Sequence, residues 1–541
     1  MLDNTLKIVL SFLHNNYVEE EFTIIYKELK KLCTLDNILL PSYGNYQEQN
    51  NSYEKLQEVL STINEKGLKR KSKGVYYTPN DVVQFILLNS LKLSINELNP
   101  HTLNKSNIEN FPIESICYNK KFYDPTCGAG EFLLASLIMK FNIYCLQTDK
   151  IEPKLIHKMV KTIYGNDVNP ESIAITKLRL FLEVLNRFGL SSIIGISKIL
   201  NSNFTSNDYL SPDFEFKQKY DVILGNPPYV ETNKSKLTLQ KSYGNIYANV
   251  LDNVTNQLKN DGVIGFVVPI SYISTPRMRK IRNEMFESIT EQYIFSYADR
   301  PDCLFPSVHQ KLNILIGKKT KGPISIFTSS YKYWYKEERS NLFSDLTIVK
   351  NNQMEDDFIP KIGSEIEMSI YKKIKSEKLP VIELFDDGEF ELFLNMRATF
   401  WIKSFLNEHP GSEYKIFKTD KIEIKNFAMC LFNSSLFWWF WISISDCWHI
   451  TNKELRNFRV PLNFQNETVS YLAAKLENKL EETKLFVGTK QTQFEYKHRL
   501  CLEEIHEIDD YINELFGLTD SESMLVKNFA LRYRLSGGAS K

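Results

Sequence analysis

Apolar positions change their period along this chain, and the changes divide it. Leu6, Ile8, Val9, Leu10, Phe12 and Leu13 begin one apolar face at helical spacing, and Phe22, Ile25, Tyr26, Leu29 and Leu32 suggest a second. The polar stretch Pro41–Ser52 interrupts them, so residues 1–66 read as a helical segment. From residue 67 the pattern differs. Short apolar, β-branched runs, each closed by Gly, Pro, Asn or Asp, alternate with longer stretches of helical period. The runs are Phe122–Asp124, Tyr164–Asp167, one ending near Asn207, Tyr220–Leu224, Gly262–Ile273, Ile294–Tyr297 and Lys311–Ile316. Helices are expected after Pro79, after Gly130 and over Tyr247–Leu258. This alternation predicts an α/β fold over residues 67–335, a doubly wound, mostly parallel sheet of seven strands that binds ligands at the strand carboxyl ends. An α+β domain is expected over 336–465. A helical segment follows over 466–541, with Leu472, Leu476 and Leu480 on one face to close the domain or pair with another chain.

Composition narrows this. At 541 residues the chain has room for about three domains. Lys+Arg and Asp+Glu both number 66, so no global charge draws it to nucleic acid, and any basic surface must be local. The eight cysteines are scattered, with no Cys-x-x-Cys pair and no Cys/His metal spacing. They read as reduced thiols of a cytoplasmic protein, and no metal is expected. The N-terminus has no signal-peptide pattern. The most apolar run, Ala428–Ile444, contains Asn433, Ser434 and Ser435 and is shorter than a membrane span, so it reads as core.

The candidate chemistry sits at strand ends. Tyr220–Leu224 runs into Gly225-Asn-Pro-Pro-Tyr229, where Pro227 and Pro228 can continue neither ladder nor helix. The loop offers the Asn226 amide, carbonyls and the Tyr229 ring. An exocyclic amino group on a planar base needs such a set: acceptors for its two hydrogens and a ring for its face. A plain Pro-Pro turn is the alternative. Phe122–Leu134 reads as strand, tight Gly turn and helix, with Gly128 and Gly130 allowing close backbone approach. It lacks the third Gly of a phosphate-binding turn and carries Asp124 at the strand tip, which suits an ammonium or sulfonium rather than an anion. Asp167 ends the second strand, where an acid binds a ribose diol. The gap from Asp124 exceeds the usual spacing of about 20, which a polar insertion at Asp149–Lys158 explains. The basic stretch Gly67–Gly74 reads as a solvated linker or a phosphate contact.

Val75–Pro79, Asp124–Leu134, Asp167, Asp208, Asn226–Tyr229 and Leu304–Pro306 stand in an order that resembles amino-group DNA methyltransferases using S-adenosylmethionine. The arrangement is similar to the gamma type, cofactor motifs first and target recognition domain last, as in adenine-N6 enzymes of type II and IIG restriction–modification systems. The matched core covers about half the chain, and the ordered set is far more specific than any single motif. Asn395–Trp401, Asn433–Phe437, Ser445–Lys453 and Glu507–Leu518 look like the family's specificity region. The resemblance implies a site-specific adenine DNA methyltransferase that flips its target out of double-stranded DNA. It assigns Asn226, Pro227, Pro228 and Tyr229 to catalysis, and Tyr229 and Phe305 to the two faces of the base. It assigns Thr78 and Asp124 to the methionine end of the cofactor, with backbone near Thr126 and Gly128. Asp167 takes the ribose and Asp208 the adenine amino group, with Tyr209 beside the ring. Asn203-Phe204 offers that last place in a different register.

By residue type alone, Arg397, His449, Lys453, Arg456 and Arg459 read as a solvated basic surface or as DNA contacts, and Leu436–Trp441 as core rather than a base-stacking platform. Asn rather than Ser at position 226 favours adenine over cytosine N4. The N-terminal segment shows only Glu28-Leu-Lys30 of a nuclease pattern, so a helical cap is expected there. A stand-alone methylase with a separate endonuclease, or none, follows. The alternatives are a fused restriction–modification enzyme and a partner-dependent specificity subunit.

Overall fold

The computed structural model describes residues 2–33, 52–62, 77–103, 105, 107–235, 239, 241–306, 308–409, 411–488 and 494–536. The stretch Gly67–Gly74, the pair before Tyr77 and the polar stretch up to Asn51 lie outside the described residues. At the N-terminus, helices α1 (Leu2–Asn16), α2 (Glu19–Leu32) and α3 (Tyr53–Thr62) bury Leu6, Val9, Leu13, Ile25, Leu29 and Leu60, on the faces read from the sequence.

Among the described residues, nine strands form one sheet: β1 (Phe122–Asp124), β2 (Ile163–Asn166), β3 (Phe204–Thr205), β4 (Tyr220–Gly225), β5 (Leu258–Pro269), β6 (Glu291–Tyr297), β7 (Leu312–Lys318), β8 (Ser325–Lys332) and β9 (Val349–Lys350). Their order is 3-2-1-4-5-7-6-8-9. β1 to β5 pair in parallel. β7 runs antiparallel to β5 and β6, β8 parallel to β6, and β9 antiparallel to β8. The expected seven strands are present, but β8 and β9 extend the sheet to nine and carry it past residue 335. The reason is burial. β7 is buried along its whole length and carries the apolar run Ile314–Ile316, whereas β8 alternates between buried and half-buried positions with Thr and Ser among them.

Helices α4 (Asn80–Ser94), α5 (Glu131–Gln147), α6 (Pro170–Phe188) and α7 (Ile246–Gln257) flank the sheet; α4 packs on β5 and β7, and α5 on β1 and β2. α3 rests on α6. The Tyr53 hydroxyl bonds Glu183, Gln57 donates to the Arg179 carbonyl (3.2 Å), and Arg179 Nε donates to Gln57 Oε1 (2.9 Å). Strand order reverses between β1 and β4, which opens a crevice outside their carboxyl ends.

Beyond the sheet, β10 (Phe390–Asn395) pairs antiparallel with β11 (Ser404–Phe405) and β12 (Tyr414–Thr419). Helices α8 (Ile422–Asn433), α9 (Ser435–Ile444), α10 (Asn466–Thr483), α11 (Leu502–Leu515) and α12 (Leu531–Ser536) complete this part. α9, with its three Trp, is wholly buried, as the core reading requires. Leu472, Leu476 and Leu480 of α10 are buried against α8 and α11, so this face is covered within the chain. No single described helix is long and apolar enough to cross a membrane; α8 and α9 meet at a 63° bend.

Candidate active site

The turn after β1 is shaped by two glycines in left-handed conformation, Gly128 (φ 53°) and Gly130 (φ 86°). A Cβ on Gly130 would stand 2.6 Å from Thr176 Cγ2, so helix α6 fits only against a glycine there. A Cβ on Gly128 would meet nothing within 4 Å, so the turn faces open space at that residue. Asp124 Oδ1 accepts the Thr126 N–H (2.9 Å), and Asp167 Oδ2 accepts the Gly128 N–H (2.9 Å). Asp167 Oδ1 takes the Asn169 N–H (2.8 Å), which fixes that carboxylate at the rim between the β1 and β2 loops. Asp124 is only 2% exposed. Burial pushes its carboxyl well above the usual carboxylate range; the Thr126 N–H works against this and the nearby Asp167 charge adds to it.

Asn166, which the sequence reading passed over, ties the loops together. Its Nδ2 donates to the carbonyls of Pro125 (3.1 Å) and Asn207 (3.0 Å), and its Oδ1 accepts from Thr205 Oγ1 (2.9 Å) and Asn207 N (3.2 Å). One fully buried amide therefore joins the ends of β1, β2 and β3. The available signal was a polar residue at the buried end of a strand.

Across the crevice, Gly225 ends β4. A Cβ there would lie 2.9 Å from Asp124 Oδ1, so Asp124 lies directly against the strand that delivers Asn226. The Asn226 amide is held at both ends. Nδ2 donates to Thr78 Oγ1 (3.1 Å), just ahead of α4, and Oδ1 accepts from the Tyr229 hydroxyl. That hydroxyl also lies 3.0 Å from the Val267 carbonyl, and the Tyr229 ring meets Tyr247 edge-on. Thr78, Asp124, Thr126, Gly128, Asp167 and Asn226 through Tyr229 are thus gathered at one edge of the sheet. Asp208 stands three residues beyond β3, half-buried, its Oδ1 accepting the Leu210 N–H (3.0 Å). Phe204 is in the strand itself, so Asp208 is the residue at the loop.

Three assignments are corrected. Tyr209 is 3% exposed; its hydroxyl donates to Gln257 Oε1 (2.6 Å) and its ring packs on Phe214, so it supports the loop from inside the core. Phe305 is 1% exposed and part of the core, its backbone bridged to Val308. Lys453 is an internal staple, its side chain 9% exposed. Its ammonium donates to the carbonyls of Ser274 (2.6 Å) and Ile444 (2.9 Å) and pairs with Glu454 (2.9 Å). Arg397 and His449 lie on adjacent, antiparallel-bridged segments, both exposed, with the Arg397 guanidinium 6.0 Å from the Trp448 ring. Among the described residues, no group of three or more His, Cys, Asp or Glu side chains is placed to hold a metal.

The edge can hold a ligand with a positive centre beside a sugar. Thr126 Oγ1 is buried without a hydrogen-bond partner, Gly128 faces free space, and the buried Asp124 carboxyl lies beneath the half-buried Asp167 carboxylate. S-adenosylmethionine has that character, an ammonium and sulfonium next to a ribose, so the residues present fit it.

Residues 161–302 match the family model described as Eco57I restriction-modification methylase. The span includes Asp167 and the Asn226–Tyr229 loop, and over it the chain is similar to restriction–modification methyltransferases. The chain is 30% identical over 240 residues to the type II methyltransferase M.BanIII of Aneurinibacillus aneurinilyticus, a match covering 42% of this chain and 36% of that protein. It is 25% identical over 217 residues to the adenine-specific methyltransferase PglX of Streptomyces coelicolor, covering 33% of this chain and 16% of that one. In both cases the chain spans well under half the relative's own length. Among solved structures, the type IIL restriction-modification enzyme MmeI in complex with DNA superposes with a TM-score of 0.53 at 12% identity, over 89% of this chain and 81% of that one. That likeness shows the fold.

Proposed function

We propose that the chain is an S-adenosylmethionine-dependent DNA methyltransferase of a restriction–modification system. Its target is N6 of an adenine flipped out of duplex DNA, and its motifs stand in the gamma order ahead of a C-terminal recognition region. One observation carries the reading. The Asn-Pro-Pro-Tyr loop of β4 and the Asp124–Gly130 turn of β1 face each other across the switch point of one sheet, with Gly225 packed on Asp124. The names of the relatives, type II and adenine-specific methyltransferases, support the substrate class.

Bound cofactor would supply an electrophilic methyl group on a positively charged sulfur. Asp124, Thr126 and Gly128 would hold its methionine end beside Thr78, Asp167 its ribose and Asp208 its adenine. The target nitrogen is a poor nucleophile because its lone pair is delocalised into the ring. Asn226 Oδ1 and the Pro227 carbonyl would accept its two hydrogens and favour a pyramidal nitrogen, which orients the lone pair and stabilises charge that develops during transfer. Tyr229 would lend its ring to one face of the base, and its hydroxyl sets the Asn226 amide before the base arrives. Arg397 and His449 would meet the DNA backbone or base edges. A separate endonuclease is the partner this reading implies.

The test incubates the purified chain with methyl-labelled S-adenosylmethionine and adenine-unmethylated DNA, then separates the nucleosides. Label in N6-methyladenine is expected, and Asn226→Ala should abolish it while DNA binding persists. Label in cytosine, RNA or protein would overturn the substrate. Full activity in Asn226→Ala would overturn the mechanism.

A further inference from the structure

The segment joining β6 to β7 rises from the same edge of the sheet as the Asn226 loop, because β6 runs parallel to β4 and β5. Its two ends are tied by the buried Asp299–Lys311 ion pair (3.2 Å), and its middle carries Cys303, Leu304 and Phe305. That middle is held by one side chain from far along the sequence. Arg339 Nη1 donates to the Cys303 carbonyl (3.2 Å) and Nη2 to the Leu304 carbonyl (2.9 Å). The same guanidinium takes Asp81 in a two-point grip, Nε to Oδ2 (2.8 Å) and Nη2 to Oδ1 (3.0 Å). Asp81 lies in the first turn of α4, three residues after Thr78, which holds the Asn226 amide. An unbroken path therefore runs from Asn226 through Thr78, the start of α4, Asp81 and Arg339 to the backbone just before Phe305.

We infer that Arg339 is a positioning residue for methyl transfer: with Asp81 it anchors the start of α4, and through Thr78 the Asn226 amide, to the buried backbone of the 303–305 segment. This rests on the methyltransferase reading above. The planar fork suits the task because it meets a carboxylate at two points and still reaches two carbonyls; a lysine ammonium has one charged point and cannot hold all four. The helix N-terminus strengthens the Asp81 end, since an acid in the first turn faces the positive end of the helix dipole. The hydrogen bonds of Arg339 and Asp81 lead to the start of α4 and to the 303–305 backbone and not to the Asp124–Gly130 turn, so the clamp acts on the Thr78–Asn226 end of the site.

Arg339→Ala, Arg339→Lys, Asp81→Asn and the Asp81→Asn/Arg339→Ala pair test it in the full chain with labelled cofactor and DNA. Arg339→Ala should lower kcat by about a hundredfold, the order expected of a misplacement near 1 Å, and raise KM for the cofactor, which Thr78 also meets, by less than about tenfold. Arg339→Lys should stay folded and still lose about tenfold or more in kcat, because charge without the fork is insufficient. The double variant should be no worse than Arg339→Ala alone, as a shared clamp requires. Hydrogen exchange gives a readout independent of turnover. Peptides over 299–311 should exchange faster in Arg339→Ala and Asp81→Asn, while those over 122–134 stay as in wild type. Additive losses, an equal loss of cofactor affinity, a fully active Arg339→Lys, or unchanged exchange at 299–311 would overturn the clamp. If the wild-type chain labels no DNA, the function reading fails, and the exchange result still decides whether Arg339 holds the segment.

Discussion

Gly225→Ala tests the link between the two halves of the site with one methyl group. Gly225 is ordinary strand, so alanine there is not strained by backbone and gains about 0.5–1 kcal/mol of strand stability. What it meets is Asp124. The new Cβ would stand 2.9 Å from Asp124 Oδ1, 3.4 Å from its Cγ and 3.2 Å from Phe266 Cε1. Restoring ordinary contact requires the carboxylate to retreat by roughly 0.5 Å. That oxygen accepts the Thr126 N–H at 2.9 Å, so a retreat of this size stretches the bond to its limit. Overpacking costs about 1–3 kcal/mol and a weakened bond to a buried carboxyl about 1 kcal/mol more, so the net loss of stability is about 1–3 kcal/mol. The effect on ligand is larger than on fold. Moving a carboxylate away from a cation forfeits a charge-assisted contact of about 1.5–3 kcal/mol, a weakening of about 10- to 100-fold in S-adenosylmethionine affinity. Calorimetric titration well below the melting temperature measures this on folded protein. The control is Gly317→Ala, at the opposite edge of the sheet, whose Cβ would lie 2.5 Å from Ile289 Cγ2. It should lower Tm and leave affinity within about twofold. If Gly225→Ala binds as wild type, or both variants lose affinity equally, Asp124 is not positioned for the cofactor by its contact with β4.

Asp124 also sets a pH dependence. Its folded pKa is raised, so its contribution to the stability of the free protein is present at low pH and lost as pH rises through the raised value. A cationic ligand favours the ionised form, so affinity should rise with pH by up to about tenfold per unit until Asp124 ionises unaided. Titrations in buffers of different ionisation enthalpy should show proton release on binding, and Asp124→Asn should abolish both effects. At the acid end, burial would raise Glu522, but hydrogen bonds from Lys373, Ser369 and Thr519 outweigh it and bring the carboxyl down to about 2. Its stabilisation is therefore present above the ordinary carboxylate range and lost as pH falls towards about 2, and Glu522→Gln should flatten that part of the Tm–pH curve. Lys453→Ala should destabilise by about 2–4 kcal/mol in urea titration, by stranding Glu454 and two carbonyls, without changing the salt dependence of DNA binding. Arg397→Ala should behave in the opposite way, with stability near wild type, weaker DNA binding and a log–log salt slope reduced by about one.

These contrasts show where sequence reasoning carried and where it stopped. Central strands were legible because a strand covered on both faces is largely apolar, as Val222–Leu224 and Ile314–Ile316 are. The site's strand-tip residues were legible for a related reason: Asp124, Asp167 and Asn226 follow such runs, and the end of a parallel strand at a switch point is where a polar side chain faces a ligand. β8 was missed because an outer strand alternates and mixes Thr and Ser into its pattern. Side-chain direction was not legible at all. An aromatic next to a functional residue reads the same whether its ring turns out or in, and Tyr209 and Phe305 both turn in. For Tyr209 the partner that decides it, Gln257, lies 48 residues away. A lysine in a basic cluster reads as surface until the carbonyl of Ser274, 179 residues back, is found beside it. Asn166 and Arg339 extend the point, since each has its partners in segments that only the sheet brings together, at 41 residues for Asn166 and up to 258 for Arg339. The residues that face the ligand are thus specified locally, by type and by position at a strand end. Those that hold them in place are specified by the fold, and each should act through what it holds: Asn166, which ties the loops assigned to the cofactor, on binding, and Arg339, at the Thr78–Asn226 end, chiefly on the rate of transfer.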